Sequence, residues 1–170
     1  KMASVIAGQL GEAGYVVVSG LARGIDTAAH QASLKTGTIA AIAGGVNVVY
    51  PQENADLQDA IAAHGLLVTE MPPGTKPQAR HFPRRNRLIA GLGLGVIVVV
   101  AAAKSGSLIT ARLAAEQGRE VMAVPGSPMD PRAQGANSLI RNGATLVENA
   151  RDVIEVLQGL RRLDMSEMDI

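Results

Sequence analysis

The segment YVVVSGLARGIDTAAHQASLKTGTIAAI, residues 15–42, decides the fold class of this chain of 170 residues. It begins with a short apolar run, turns through glycines into a helical pattern, and returns to a second apolar run. These pieces are Tyr15–Ser19, Ile25–Leu34 and Thr38–Ile42. The apolar runs are nearly continuous instead of alternating, which is typical of parallel strands covered on both faces. The segment therefore predicts a βαβ unit, in which a crossover helix joins two parallel strands.

The same alternation continues on both sides of this unit. It predicts further strands at Leu66–Thr69, Val96–Val100, Glu120–Val124 and Ala144–Val147, and helices at Met2–Ala13, Leu57–Ala63, Arg84–Leu92, Leu108–Gln117, Leu139–Asn142 and Ala150–Leu163. The fold class is therefore α/β, with a doubly wound, mostly parallel sheet. Such a sheet usually begins with a central strand, whereas this sequence opens on a helix, so we expect the first strand to be missing. We expect one domain over residues 1–163 and a frayed acidic tail over residues 164–170.

The composition excludes several classes of function. There is no Trp, one Phe and only two Tyr, which argues against folds that bind nucleic acid on aromatic platforms. The absence of Cys excludes a disulfide framework, a thiolate nucleophile and a zinc–thiolate site. His30, His64 and His81 lack the spacing of metal ligands, and we expect neither a metal, a cofactor nor a catalytic constellation. The longest apolar run, Val96–Ala103, is too short to cross a bilayer, and the cytoplasm is the expected location.

Basic side chains are concentrated in one part of the chain. Outside Met71–Ala115, nine basic residues face fifteen acidic ones, and the chain as a whole has a net charge of +1. Charge segregated in this way creates a local positive field that attracts polyanions. We call this segment the basic block. It has no acidic residue, and its seven basic residues are Lys76, Arg80, Arg84, Arg85, Arg87, Lys104 and Arg112.

The densest cationic cluster is FPRRNR, residues 82–87. Arg84 and Arg87 lie three positions apart, so a helix places them on one face, while Arg85 points elsewhere. Arginines at a helix N-terminus oppose the helix dipole, which favours an anionic ligand close by. Phe82 is a candidate to stack on a base. A solvated helix start, or ion pairs with acids elsewhere in the chain, is the alternative interpretation.

Two other turns lead from a strand into a helix and carry a cation. Ser19–Asp26 contains two glycines and Arg23, and its amides at the helix start are candidates to hold an anion. Lys104–Ser107 combines a lysine, two hydroxyls and a glycine, which predicts an anion-binding nest. It lacks the glycine spacing of a Walker A loop, so a nucleoside triphosphatase is not indicated. The alternatives are a glycine turn of the ordinary βα kind and simple capping by Ser107, while the role of Asp26 stays open.

Seven segments, taken together, carry a resemblance to one family. They are VVSGLARGIDTAAHQASL (17–34), AGGVNVVYPQENADL (43–57), EMPPGTKP (70–77), FPRRNRLIAGL (82–92), KSGSLITARLA (104–114), REVMAVPGSP (119–128) and QGANSLIRNGATLV (134–147). In this order they resemble the DNA-processing protein A (DprA/Smf) family over nearly the whole chain.

The resemblance implies an extended Rossmann-like domain that binds single-stranded DNA and helps to load the recombinase RecA during natural transformation. It implies a homodimer, and it does not imply catalysis. Family members usually carry a first strand that ends in a Gly-Ser/Thr-Arg turn, which this sequence does not contain, and many have Glu where this chain has Val100. The DNA-contact candidates carried over by motif are Arg23, Arg84, Arg85, Asn86, Arg87, Lys104, Ser105, Gly106 and Ser107.

Two other functions remain open at this stage. The first is a nucleotide-cleaving enzyme of the related phosphoribohydrolase-like Rossmann superfamily, which carries a Pro-Gly-Gly-x-Gly-Thr stretch followed by Glu. Here Pro125-Gly126-Ser127 stops short of that stretch, and no Glu follows before Glu148. The second is a sensor of a free nucleotide, which would use the same helix entrances but would not need the arginine cluster.

Overall fold

The computed structural model describes residues 1–167 and has an α/β fold. The strands are β1 Val17–Ser19, β2 Thr38–Ala41, β3 Leu66–Val68, β4 Gly95–Val98, β5 Glu120–Ala123 and β6 Thr145–Leu146. The helices are α1 Met2–Glu12, α2 Ile25–Ser33, α3 Ala55–His64, α4 His81–Leu92, α5 Gly106–Glu116, α6 Gln134–Arg141 and α7 Ala150–Glu167. Short 3₁₀ turns at Gln52–Asn54 and Pro131–Ala133 precede α3 and α6.

All the strand pairs are parallel, as the continuous apolar runs predict. The strands form two sheets of three, in the orders β1-β2-β3 and β4-β5-β6. Val18 faces Ile39 across the first sheet, and Ile97 faces Met122 across the second. Within residues 1–167 no ladder joins β1 to β4. The predicted α/β class and the six predicted strands are confirmed, with ends that shift by one or two residues.

The core is built mainly from small aliphatic side chains. Under the second sheet, α1 and α7 meet around Ile6, Met122 and Val153, all of which are almost fully buried. Leu21 and Ile61 occupy the corresponding position in the first sheet. Because so many core positions are Ala, helices approach the sheets closely, and local backbone shape matters more than in a core of large side chains.

Tertiary contacts move several helix boundaries away from the predicted ones. α6 begins at Gln134 instead of Leu139, because the amides of Gly135 and Ala136 donate to the Ala101 carbonyl and hold the first turn in place. Helix α7 continues through Glu167, into the range predicted as a tail, and residues 168–170 lie outside the described residues. None of the helices described is long and apolar enough to cross a membrane.

Candidate nucleic-acid interface

The predicted site residues lie in the loops that leave the carboxyl ends of the strands and in the first two turns of the helices α4 and α5. In parallel α/β folds this edge is where ligands bind. At the first sheet these loops and the start of α4 surround a cleft of about 290 Å³. Its lining includes Gly20–Arg23, Ile42–Gly44, Val48, Tyr50, Pro51, Pro77, Phe82 and Arg85.

The turn that follows β1 does not offer all its amides to a ligand. Oδ2 of Asp26 accepts hydrogen bonds from the amides of Gly20 and Ala22, each at 3.1 Å. A side-chain carboxylate therefore takes the place that a phosphate oxygen would need. Gly20 and Ala22 precede α2, which begins at Ile25, so anion binding by the amides at the start of that helix stays a prediction. The structure also answers the question left open about Asp26, which closes the turn from within.

The next residue of the turn, Leu21, is held in an uncommon backbone conformation. Its φ is +58°, in the left-handed region that side chains other than glycine rarely adopt, and its side chain is fully buried. The Leu21 amide donates to Nε2 of His30 at 3.2 Å, and its carbonyl accepts from Nδ2 of Asn54 at 2.9 Å. Neighbouring side chains thus satisfy both backbone groups and stabilise the strained conformation.

These bonds fix the tautomer of His30. Since Nε2 accepts from Leu21, the proton is on Nδ1, which donates to Oγ1 of Thr38 at 2.7 Å, and that hydroxyl donates to the Val17 carbonyl at 3.0 Å. Burial lowers the pKa of His30 to about 4, although the charge of Asp26 opposes the shift. The ring is therefore neutral near pH 7, and it connects the turn to β1 and β2.

Arg85 lies beneath the same turn. It is only 8% exposed, and its Nη1 donates to the carbonyls of Gly20 at 2.6 Å and of Ala41 at 2.8 Å. Its Nε donates to Oδ1 of Asn86 at 3.2 Å, and its guanidinium lies 5.6 Å from the centre of the Phe82 ring. Burial lowers the pKa of Arg85, and the charge of Asp26 acts in the opposite direction. Arg85 does point away from its neighbours as predicted, but towards the interior, where it joins the ends of β1 and β2.

The other two arginines of the cluster face a carboxylate. Arg87 Nη2 donates to Oε1 of Glu70, and Arg84 Nε lies 3.8 Å from Oε2 of the same residue. Arg84 and Arg87 therefore share a face of α4, as their spacing predicts. The side chains remain accessible, with 64% of Arg84 and 46% of Arg87 exposed.

Arg23 is paired in a similar way. Its Nε and Nη2 donate to the two carboxylate oxygens of Glu53 at 2.8 and 2.9 Å. The pKa of Glu53 is lowered by a hydrogen bond from its own backbone and by the bond from Arg23. Both side chains are well exposed, so the pair sits at the rim of the cleft and not inside it.

The acids that pair with the basic block flank it in the sequence. Glu70 immediately precedes Met71, and Glu116 immediately follows Ala115 and pairs with Arg112 at 3.6 Å. The basic block has seven positive charges and no acid because Glu70 and Glu116, which pair with its arginines, lie just outside it. The local field is positive, but weaker than the sequence alone predicts.

The Lys104 loop lies at a helix N-terminus, as predicted. Ser105 is the N-cap of α5, and its Oγ accepts from the Ser107 amide at 3.3 Å. Capping is therefore by Ser105, while Ser107 supplies the capped amide. A Cβ added at Gly106 would meet nothing within 4 Å, so the first turn of α5 is open to solvent. Lys104 makes no ion pair with any residue whose side chain is described.

The turn Pro125–Ser127, which follows β5, is closed. The backbone amide of Gly126 donates to Oδ1 of Asn137 at 3.0 Å, and Nδ2 of Asn137 donates back to the Gly126 carbonyl at 2.8 Å. A Cβ at Gly126 would lie 2.4 Å from that of Ala133. The side chain of Asn137 thus occupies the space that a phosphate would need at this turn. Nothing in the sequence around Asn137, which lies in the motif QGANS (134–138), predicted that its side chain bonds to Gly126.

A second, mainly apolar hollow of about 300 Å³ lies beside this turn. Val99, Val100 and Val124 line it, and Asp130 and Arg132 stand at its rim. Val100, the position at which many relatives were expected to have Glu, is 44% exposed here. The described residues contain no group of three or more His, Asp or Glu arranged to hold a metal ion.

Comparison with known proteins places this arrangement in a family. A solved structure of DNA processing protein A from Streptococcus pneumoniae superimposes with a TM-score of 0.82 and 48% identity, over 91% of this chain and 54% of that one. A structure of DNA processing protein A from Helicobacter pylori, described for its single-stranded DNA binding mode, gives 0.84 and 31%, over 92% of this chain and 72% of that one. A molybdenum cofactor binding protein from Rippkaea orientalis gives 0.61 and 18%, which shows a shared fold alone.

Sequence comparison gives the same result. The chain is 56% identical to DNA processing protein DprA from Bacillus subtilis over 85% of its length, and 52% identical to that of Streptococcus pneumoniae over 82%. It spans about half of each relative, 49% and 50% of their lengths. A family model described as DNA recombination-mediator protein A matches residues 1–158. The chain therefore belongs to the DNA recombination-mediator protein A (DprA/Smf) family.

Proposed function

We propose that this chain binds single-stranded DNA along the carboxyl ends of its strands. The observation that carries the proposal is the placement of accessible cations after three of the strands, β1, β3 and β4, at this edge. Arg23 follows β1, Arg84 and Arg87 are the fourth and seventh residues of α4 after β3, and Lys104 follows β4. Arg23 and Lys104 lie directly before a helix N-cap, where amides without intrahelical partners also attract anions. A row of this kind suits a chain of phosphates better than one isolated phosphate.

Binding by this edge is mainly electrostatic in the proposal. Arginine offers a planar fork that fits phosphate, and lysine offers a point charge. The Tyr50 and Phe82 rings, whose centres are 5.6 Å apart, add an apolar surface in the cleft beside the arginines. Arg85 and Asn86 hold the framework of this site in addition to any contact of their own with DNA.

In its biological setting, we propose that the chain acts as a recombination mediator that loads RecA on incoming DNA during natural transformation. The family description and the DNA processing relatives support this role. We also propose that the protein acts as a homodimer in the cytoplasm and that it does not catalyse a reaction. The test of the mediator role is a RecA filament assay on single-stranded DNA coated with a single-strand binding protein, with and without this protein. The proposal requires faster filament formation when the protein is present.

The binding proposal is tested by titrating single-stranded and double-stranded oligonucleotides at several salt concentrations. Counterion release gives a log–log slope of about −0.7 for each phosphate neutralised on a single strand, so four cations set a limit of about −3 to the slope. A flat response to salt contradicts the proposed surface. Two further arms separate the alternatives: equal affinity for a mononucleotide indicates a nucleotide sensor, and release of free base from a nucleotide indicates the cleaving enzyme.

Substitutions locate the surface within the same assay. Lys104→Ala and Arg84→Ala should each weaken binding without a change in thermal stability, because both side chains are accessible. Arg151→Ala is the matched control, since Arg151 is also an exposed arginine in an ion pair but lies on α7. Equal losses from all these variants would mean that the attraction is diffuse and that this edge is not the site.

A further inference from the structure

Glu70 lies between two of the cations that the proposed function assigns to DNA. Its carboxylate accepts from Arg87 and lies 3.8 Å from Arg84, and its side chain is only 33% exposed. One negative charge thus faces two positive ones, and the cluster keeps a net charge of +1. The donor that Arg87 gives to Glu70 is not free for a phosphate at the same time.

The position of Glu70 is fixed by its chain neighbours. Oγ1 of Thr69 donates to the Gly44 carbonyl at 2.8 Å, and the Met71 amide donates to that same hydroxyl at 3.0 Å. Thr69 is therefore attached to the loop that leaves β2, and Met71 is attached to Thr69. These bonds hold the backbone on both sides of Glu70, and the contacts of its side chain are those with Arg87 and Arg84.

We propose that Glu70 is a specificity-determining residue that competes with phosphate for Arg84 and Arg87. The carboxylate occupies the position that one phosphate would take. A single free phosphate must therefore displace the carboxylate, and it gains only the contact that the carboxylate loses. A DNA strand presents several phosphates together and offsets this displacement with its contacts elsewhere on the edge. Glu70 thereby lowers affinity for free phosphate and mononucleotides more than affinity for the polymer. This inference rests on the proposed single-stranded DNA function.

Glu53 repeats the arrangement on the other side of the cleft. It engages both Nε and Nη2 of Arg23, in the two-point geometry that a phosphate would also adopt. Arg23, Arg84 and Arg87 are thus all paired with a carboxylate before any ligand arrives. Lys104 has no such partner among the described side chains, so it is the cation that a strand engages without displacing anything.

The test compares the parent protein with Glu70→Gln and Glu70→Ala in titrations with a fluorescently labelled oligothymidylate. Both variants should bind more tightly, by between about 1.5-fold and fivefold, which is the range that an exposed ion pair is worth. Their salt dependence should also steepen, by up to about 0.7 in the log–log slope, because one more phosphate is neutralised by the protein. Inorganic phosphate should displace the oligonucleotide from the variants at lower concentrations than from the parent.

Glu155→Gln is the matched control, because Glu155 also forms an exposed pair with an arginine, but on α7. It removes the same charge and should leave affinity unchanged. If Glu70→Gln and Glu155→Gln give the same gain, the effect is one of net charge and the inference is wrong. Weaker binding by both Glu70 variants, at an unchanged thermal midpoint, would show that Glu70 positions the arginines and does not compete with phosphate. If the parent protein does not bind the oligonucleotide, the proposed function is wrong. If the parent binds and the Glu70 variants have the same affinity as the parent, only this inference is wrong.

Discussion

Arg84 and Arg85 are adjacent and chemically identical, yet the structure predicts opposite results when each is replaced. Replacing Arg85 with Met keeps the packing of its stem but leaves the carbonyls of Gly20 and Ala41 without their shared donor. An unpaired buried polar group costs about 1–3 kcal/mol, so two give a loss of about 2–6 kcal/mol in the free energy of unfolding. Removing a buried charge offsets part of this loss, and we expect about 2–4 kcal/mol. Arg84→Met should change stability by less than about 0.5 kcal/mol.

The assay is urea unfolding followed by far-ultraviolet circular dichroism, because the chain has no Trp to report on unfolding. With a slope of about 2 kcal/mol per molar urea, Arg85→Met should lower the midpoint by about 1–2 M. Arg85→Lys keeps the charge but not the fork, and it should recover only part of the loss. Equal midpoints for Arg84→Met and Arg85→Met would refute the assignment of Arg85 to the interior.

The remaining predictions concern the turn after β1 and the Lys104 loop. Because the pKa of His30 is lowered from 6.5 to about 4, the unfolded state takes up a proton first as the pH falls. The stability that neutral His30 contributes is therefore present above pH 6.5 and is lost as the pH falls towards 4, by about 2 kcal/mol between pH 7 and pH 5. Urea titrations at both pH values should show this loss in the parent and not in His30→Gln. Gly106→Val changes no charge, and the Cβ that it adds meets no protein atom within 4 Å, so a fall in oligonucleotide affinity at an unchanged melting temperature is expected if phosphate approaches the backbone there. Gly135→Ala places a Cβ 2.6 Å from the Ala101 carbonyl and should lower the melting temperature, together with affinity, by displacing the loop that leads to Lys104.

The order of strands and helices was predictable because it depends on local patterns. The continuous apolar run of β4 and the glycine entrance of α5 both appear where the sequence places them. The beginning of α6 was not predictable in this way. Its first turn is held by the Ala101 carbonyl, which is far away in the sequence, and no local signal at Gln134 reports that bond.

The placement of the arginines on α4 was predictable, but their ion pairs were not. The sequence identifies Arg84 and Arg87 as neighbours on one helix face, and the structure confirms it. It gives no means of knowing that Glu70 returns to them or that Asp26 fills the turn before α2, since both contacts depend on tertiary geometry. The burial of Arg85 could not be predicted for the same reason. The sequence does not distinguish a buried arginine such as Arg85 from an exposed one such as Arg84.

The conformation of the turn after β1 depends on residues that are distant in the sequence. Asp26, His30, Asn54 and Arg85 hold it from three separate parts of the chain, so no contiguous peptide contains the instructions for its conformation. A peptide covering residues 17–34 would carry the strand, the turn and the helix, yet lack half of the groups that shape the turn. Transplanting the turn to another protein would therefore require moving four scattered positions together. In evolution, a substitution at any one of the four changes the effect that substitutions at the other three have on the stability of the turn.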